Sequence, residues 1–392
     1  MKVLAVNSGS SSLKFQMYEM PEEEVLISGT FERIGVGESF YTIKLNGEKT
    51  KIEVDLKDHK AAFSILIEEL IKNEIVSSLD EIEGIGHRVV QGGTEFDKSV
   101  VITDKVLSVV EELSSLAPLH NPPAIIGVNA AKSLIPNAAQ VAVFDTSFHQ
   151  TMPEYNYLYS VPYSWHTDYN VRKYGYHGTS HMFISKRANE ILGRDDTKLI
   201  TCHIGNGASV SAVVNGKCLN TSMGLTPNSG VMMGTRCGDI DATIVNYMVS
   251  QVGMDIKDVD NTLNKASGYI GICGYSDARD VEAGVMAGDE KCILAQKMYV
   301  RRIANYIAQY YVEMGGCDSI IFTAGLGENS PMLRHDVINE LKVFGIILDG
   351  EQNKIRAKEG LITTKESSIP VYVIPTDEEM VIARDTYAFL SE

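Results

Sequence analysis

Apolar and polar positions alternate in short blocks along the chain. In "KVLAVNSGSSSLKFQMY" an apolar run meets a Gly/Ser turn, after which Leu13, Phe15 and Met17 alternate with Lys14, Gln16 and Tyr18. That period of two predicts strands on both sides of a hairpin tip at Ser8 to Ser12. "KAAFSILIEELIKN" puts Ala62, Phe63, Leu66 and Leu70 on one helical face behind an N-cap at Asp58, and "DKVLSVVEELSSL" repeats the pattern with Val106, Val109, Val110 and Leu113. "AAQVAVFD" reads as a buried strand ending at Asp145. Farther on, "KLITCHIG", the turn "NGAS" and "VSAVVNGK" predict a second hairpin, with its own turn signal at Asn215-Gly216. "IIFTAGLGENSPMLRHDVINEL" predicts a strand over Ile320 to Thr323, a Gly-rich turn, and a helix with Ser330 at the N-cap and Pro331 at its first position.

Alternating strands and helices predict α/β layers. Gly9 and Gly207 lie about half the chain apart, each inside a strand, Gly/Ser turn, strand unit. Two such copies, one opening each half, predict a duplicated domain with a cleft between the copies. A length of 392 residues suits two domains with separate cores. The first is expected over 1–148, where "HQTMPEYNYLYSVPYSW" breaks the periodic pattern. The last helix, from about Asp377, is expected to fold back onto it, so that residues 380–392 complete the first domain and 149–379 form the second.

Charge narrows the class of ligand. A net charge of −16 and a pI near 5.1 argue against nucleic acid or an anionic membrane as partner. An anionic ligand must then be held by locally placed cations. No apolar run approaches the ~20 residues of a membrane helix, and "VLAV" is too short for a signal sequence, so a cytoplasmic location is expected. The six cysteines are widely spaced, without C-x-x-C, and read as reduced thiols rather than a zinc site or disulfide framework.

The first hairpin resembles a phosphate loop, but Leu13 and Phe15 break the G-x-x-x-x-G-K-[ST] pattern and a strand follows where a helix should. Its serines, Asn7 and Lys14 suit a phosphate cradle, the alternative being an ordinary polar turn. Gly325 and Gly327 let backbone approach a ligand closely. In "IPTDEEM", Thr376 and Glu379 form a capping box, which leaves Glu378 to face the cleft. Oxygens such as those of Glu378 and Asn7 suit Mg²⁺; a solvated helix start is the alternative. Arg88 and Arg236 stand in glycine-flanked segments, "GHRVVQGG" and "MMGTRCGDID", where a guanidinium fork can hold a carboxylate or phosphoryl group. A surface ion pair of Arg236 with Asp239 or Asp241 is the competing reading. His120 sits in a proline-flanked loop, and His203 at a strand end. His177 and His181 have the spacing of a zinc helix, but Gly178 and Thr179 between them disfavour one.

Taken together, "NSGSSSLKF", "GHRVV", "LAPLHNPP", "VFDTSFHQTMP", "YGYHGTSH", "CHIGNGAS", "GLTP", "MGTRCGDID", "FTAGLGENS" and "PTDEE" resemble, in order and over nearly the whole length, the acetate kinase (acetokinase) family. The resemblance implies a duplicated actin-like (ribonuclease H-like) two-domain fold with an interdomain active-site cleft. It implies a homodimeric transferase that phosphorylates acetate to acetyl phosphate reversibly, with ATP and ADP as substrates and Mg²⁺ (or Mn²⁺) as the metal. Carried over by position, Asn7 and Glu378 are metal residues, and Lys14, Ser10 and Ser12 lie near the phosphates. Arg88 holds the acetate carboxylate, in a pocket with Val90, Leu119, Tyr176 and Pro227. Asp145, His177, Arg236 and His120 are the catalytic set. His203, Ile204, Gly205, Asn206 and Gly207, then Asp277, Ala278 and Arg279, then Gly325, Leu326, Gly327, Glu328 and Asn329 match the ATP-binding segments. Gln91, Tyr176, Cys237 and the pair Asn228-Ser229 depart from the family pattern. Acetate is already ionised near neutral pH, so Asp145 is cast as an organiser of metal or of Arg236 rather than as a base. A propionate or butyrate kinase, or an actin-like ATPase of another class, are the alternatives.

Overall fold

The computed structural model describes residues 1–118 and 120–391, in two compact units: 1–148 with 377–391, and 149–376. The first unit is built on an eight-stranded sheet. Its strands are β1 (Lys2–Ser8), β2 (Ser12–Glu19), β3 (Glu24–Glu32), β4 (Phe40–Leu45), β5 (Glu48–Glu53), β6 (Ile82–Val89), β7 (Val100–Val101) and β8 (Ala139–Phe144), in the order β5-β4-β3-β2-β1-β6-β8-β7. The second unit carries a six-stranded sheet of β9 (Lys198–Ile204), β10 (Ala208–Val214), β11 (Lys217–Thr221), β12 (Ser319–Thr323), β13 (Gly360–Leu361) and β14 (Val371–Val373), in the order β11-β10-β9-β12-β14-β13.

The duplication lies in that topology. In each sheet a three-stranded antiparallel meander, β1-β2-β3 or β9-β10-β11, is joined through its first strand to parallel neighbours, β6 and β8 or β12 and β14. This is the duplicated actin-like arrangement.

Local sequence explains most elements. Leu13, Phe15 and Met17 are fully buried, as the alternation of β2 requires. Tyr18 departs from it: it too is buried, and its hydroxyl donates to Gln16 Oε1 at 2.7 Å and Asp377 Oδ1 at 3.3 Å. The helix His59–Lys72 starts at Asp58, whose Oδ1 accepts from Ala61 N, and buries Ala62, Phe63, Leu66 and Leu70. The helix Asp104–Glu112 forms as expected but buries Val110 alone of its stripe. At the second hairpin's far end Asn215 and Gly216 both take positive φ, 51° and 73°. Ser330 caps the helix Pro331–Glu340 through Leu333 N.

Three local expectations are corrected. "NPPAIIGVNAAKSL" is a helix, Asn121–Leu134, with its prolines in the first turn, where the missing N–H is harmless. The segment Gly325–Asn329 is a short helix, Ala324–Asn329, entered through Ala324 at φ 64°. The return helix Glu378–Ser391 starts at Asp377, whose Oδ1 accepts from Met380 N, so Thr376 and Glu379 do not form a capping box. That helix packs on β1, β6 and β8. Gly84 and Gly86 allow the approach: a Cβ on Gly86 would lie 2.3 Å from Thr386 Oγ1 and 2.4 Å from Ile382 Cγ2.

Candidate active site

Parallel pairing brings candidate residues to strand ends in both units. In the first unit β6 lies between β1 and β8, bringing the ends of three adjacent strands together, and with them Asn7, Arg88 and Asp145. Carboxyl ends of parallel strands are where open α/β sheets present ligand-binding groups. Arg88 therefore belongs to a strand, not to the glycine turn that follows it.

Its guanidinium grips Asp145 with two parallel bonds, Nε to Oδ1 at 2.9 Å and Nη2 to Oδ2 at 2.5 Å, while Nη1 reaches Asn7 Oδ1 at 3.4 Å. Burial opposes the charge on Arg88, but Asp145 and then Glu378 and Glu379 outweigh it and raise its pKa. Asp145, fully buried, is thus held by Arg88 within this unit. Lys14 stands opposite Asn7 on the hairpin and pairs with the buried Glu379 carboxylate at 2.8 Å. Glu379 turns inward to this pair, which is why it is absent from the helix cap.

The turn itself is held by two contacts. Gly9 N donates to Ser12 O, and the His59 Nε2–H donates to Gly9 O at 2.7 Å. Ser10 is exposed and Ser12 half-buried. Ser8, by contrast, is buried with its hydroxyl against Gly127, so the hydroxyls do not all point one way. Val90 is buried, and His120 occupies the N-cap position of Asn121–Leu134. Leu119 lies outside the described residues.

In the second unit His203 and Thr323 are register partners at the ends of β9 and β12. His177 is the N-cap of the helix Gly178–Leu192, in left-handed backbone (φ 59°), although Gly178 and Thr179 were expected to disfavour a helix. Its imidazole stacks on His203 at 4.0 Å and bonds Ser209 Oγ through Nδ1 at 2.9 Å. His203 Nδ1 meets Ser180 Oγ at 2.7 Å, while His181 is held by Thr201 and Ser209 and is buried out of contact with solvent. Burial pushes the pKa of His181 well below the usual value, so it stays neutral. In the sequence these seryl partners are signalled only by the alternation of Ser209 and Ser211 on β10.

Arg236 stands against the same turn. A Cβ on Gly207 would lie 3.2 Å from the His177 ring and 3.5 Å from Arg236 Nη1, so these three meet at one point. Arg236 Nη1 donates to Pro227 O at 3.3 Å and contacts Met233 Sδ at 3.6 Å. Among the described residues no carboxylate pairs with it, and burial alone lowers its pKa. Asp239 instead accepts from Gly230 N at 2.7 Å and from the Tyr306 hydroxyl, and Asp241 accepts from Thr243 N at 2.8 Å. Half-buried charge without a counterion is unfavourable, and a bound anion relieves it.

Asn206, Gly207, Gly234, Thr235, Arg236, Ser276 and Asp277 line a cavity of about 280 Å³. Asp277 caps the helix Ala278–Met286, and Arg279 holds its carboxylate near pKa 2, Nη2 to Oδ2 at 2.5 Å. Glu328 Oε1 gathers Ala324 N at 2.8 Å, Thr323 Oγ1 at 3.2 Å and Thr376 N at 3.2 Å, and so fixes the turn after β12. Tyr176 is buried with its hydroxyl on Leu225 O. Two departures from the family pattern touch: Cys237 Sγ lies 3.6 Å from Asn228 Oδ1.

Comparison with known proteins bears on this geometry. Residues 2–384 match the family model described as the acetokinase family. A protein named acetate kinase from Bacillus cytotoxicus is 51% identical over 98% of both chains. Among solved structures, Porphyromonas gingivalis acetate kinase superposes with a TM-score of 0.92 at 44% identity over 99% of both chains. A propionate kinase from Francisella tularensis gives 0.94 at 39% identity, again over 99% of both.

Proposed function

Because this chain belongs to the acetokinase family, we propose that it transfers the γ-phosphoryl group of ATP reversibly to the carboxylate of acetate, giving acetyl phosphate and ADP in one in-line displacement. One carboxylate oxygen forms a bond to phosphorus as the bond to the β-phosphate oxygen breaks. The observation that supports this reading most is Arg236, a half-buried guanidinium without a carboxylate partner among the described residues, beside His177 at a turn whose glycine keeps the approach clear. Phosphoryl transfer spreads charge over equatorial oxygens, so positioned positive groups matter more than a strong base.

In this scheme Arg236 and His177 stabilise the transferring group, assisted by His120. The acetate carboxylate meets the Arg88 fork, which Asp145 holds in orientation, with Val90, Leu119, Tyr176 and Pro227 around the methyl group. Lys14, Ser10 and Ser12 attend the phosphates. His203 to Gly207, Asp277 to Arg279 and Gly325 to Asn329 take the nucleotide. Asn7 Oδ1 and the Glu378 carboxylate are hard oxygen donors beside Arg88, and among the described residues no cluster of three or more His, Cys, Asp or Glu forms a metal cage. That sparse set fits Mg²⁺, which keeps waters and leans on substrate phosphates, and when bound would neutralise phosphate charge. Family membership extends the proposal to a homodimer in the cytoplasm; a monomeric mass by sedimentation would overturn the first of these.

A hydroxamate assay for acyl phosphate, run on wild type, Arg88→Ala and Arg236→Ala, tests the scheme. Full activity in Arg236→Ala overturns it, as does a phosphorylated aspartate or glutamate trapped on the pathway. The likeness to a propionate kinase favours a second reading, a longer acid as substrate. A higher kcat/KM for propionate or butyrate than for acetate would establish it. ATP hydrolysis indifferent to any acid would point instead to a non-kinase ATPase.

A further inference from the structure

Two tyrosine hydroxyls grip one residue. Leu225 lies in the segment between β11 and Arg236; its N–H donates to the Tyr159 hydroxyl at 2.8 Å, and its carbonyl accepts from the Tyr176 hydroxyl at 2.7 Å. The neighbouring Gly224 carbonyl accepts from Tyr174 N at 3.0 Å and Gly175 N at 3.3 Å. A Cβ on Gly224 would lie 2.1 Å from the Tyr159 hydroxyl oxygen, so glycine is what admits that ring. At the other end of the segment Gly230 N is fixed by Asp239 Oδ1 at 2.7 Å. Between these anchors, Pro227 presents the carbonyl that receives Arg236 Nη1 at 3.3 Å.

From Leu225 to that carbonyl there are two residues. Proline fixes its own φ and restricts Thr226 before it, so displacement of the Leu225 peptide passes to the Pro227 carbonyl with little slack. Arg236 lacks a carboxylate among the described residues that could hold it otherwise. Its long, rotamer-rich side chain is restrained by that fixed acceptor.

We propose that Tyr159 and Tyr176 are positioning residues for Arg236, their hydroxyls setting the Leu225–Pro227 backbone that orients its guanidinium. This rests on Arg236 acting on the transferring phosphoryl group. For Tyr176 it assigns to the hydroxyl, the feature absent from the family's usual phenylalanine, a task separate from the ring's place beside the substrate methyl.

Tyr159→Phe, Tyr176→Phe and the double variant are made in wild type and in Arg236→Ala, and kcat and KM for acetate and ATP are measured below the unfolding midpoint read by circular dichroism. Misplacement of a reacting geometry by about 1 Å lowers rates by up to ~10²-fold. Each single variant is expected to lower kcat by about five- to tenfold, with KM for ATP within about twofold. In the Arg236→Ala background the same changes are expected to shift the residual kcat by less than about twofold, since the group they position is gone. Unchanged kcat in folded tyrosine variants overturns the proposal, as does an equal loss in both backgrounds. Full activity in Arg236→Ala is a different failure: it removes the reading of the site on which the proposal stands. Should Tyr159→Phe fail to fold, Tyr176→Phe alone decides by the same two comparisons.

Discussion

Replacing Arg236 with methionine separates a ligand-holding arginine from a structural one, because the two roles move stability in opposite directions. In the free protein its guanidinium is half-buried, donates to Pro227 O at 3.3 Å, and has no carboxylate partner among the described residues. A methionine fills similar volume without a charge to desolvate. Removing that charge is expected to leave the unfolding free energy unchanged or raise it by about 1 kcal/mol, the lower end of the penalty for a poorly paired buried group. Turnover should move the other way: a transition-state arginine in phosphoryl transfer is worth about 10³–10⁵ in kcat, or ~4–7 kcal/mol. Urea denaturation with and without ADP and a coupled assay for ADP formation read both quantities. ADP should stabilise wild type more than the variant if the arginine faces the nucleotide's phosphates. A variant less stable by more than about 1 kcal/mol, or one retaining kcat within about tenfold, refutes the reasoning.

Further outcomes follow from close packing and buried histidines. Gly207→Ala sets a Cβ 3.2 Å from a His177 ring that is already stacked on His203 and bonded to Ser209; turnover should fall at least about tenfold while the urea midpoint holds, and retained turnover counts against the meeting point described. Gly86→Ala sets a Cβ 2.3 Å from Thr386 Oγ1 and 2.4 Å from Ile382 Cγ2. It should destabilise by at least about 1–3 kcal/mol, visible as faster proteolysis of the first unit, and an undisturbed protein would show that the return helix docks differently. Burial, outweighing the bonds that raise them, lowers His87 and His149 to about 4. The unfolded chain titrates near 6.5, so it binds protons first on acidification; this stabilisation is complete above about pH 6.5 and lost as pH falls toward 4, by about 3 kcal/mol per histidine. Urea midpoints that rise with acidification in that window contradict the assignment.

Patterns that depend on near neighbours were legible and those that depend on distant ones were not. Both hairpins follow from alternation and turn residues, as Leu13, Phe15 and Met17 or Asn215-Gly216 show. Tyr18 breaks the alternation of β2 because Asp377, at the opposite end of the chain, supplies an acceptor for its hydroxyl. Thr376 and Glu379 satisfy a capping box by spacing, yet Lys14 draws Glu379 away and Asp377 caps instead. Gly86, Gly92 and Gly93 flank Arg88 in "GHRVVQGG", yet Gly86, like Gly84, is a strand residue kept bare for helix packing, which puts Arg88 on a strand end. Of the candidate residues, Arg88 and Asp145 in the first unit and His177, His203 and Arg236 in the second could be named from motifs, whereas Ser180 and Tyr159, which meet His203 and Leu225, are distinguished by three-dimensional contact alone.

The return helix gives the two units different histories during synthesis. Residues 149–376 emerge from the ribosome as one uninterrupted segment and hold every strand of their sheet. The first unit, begun earlier, keeps the bare face at Gly84 and Gly86 uncovered until Ile382 and Thr386 have been made. The half of the molecule translated first is therefore the half completed last, reversing the usual order in which domains mature along a nascent chain.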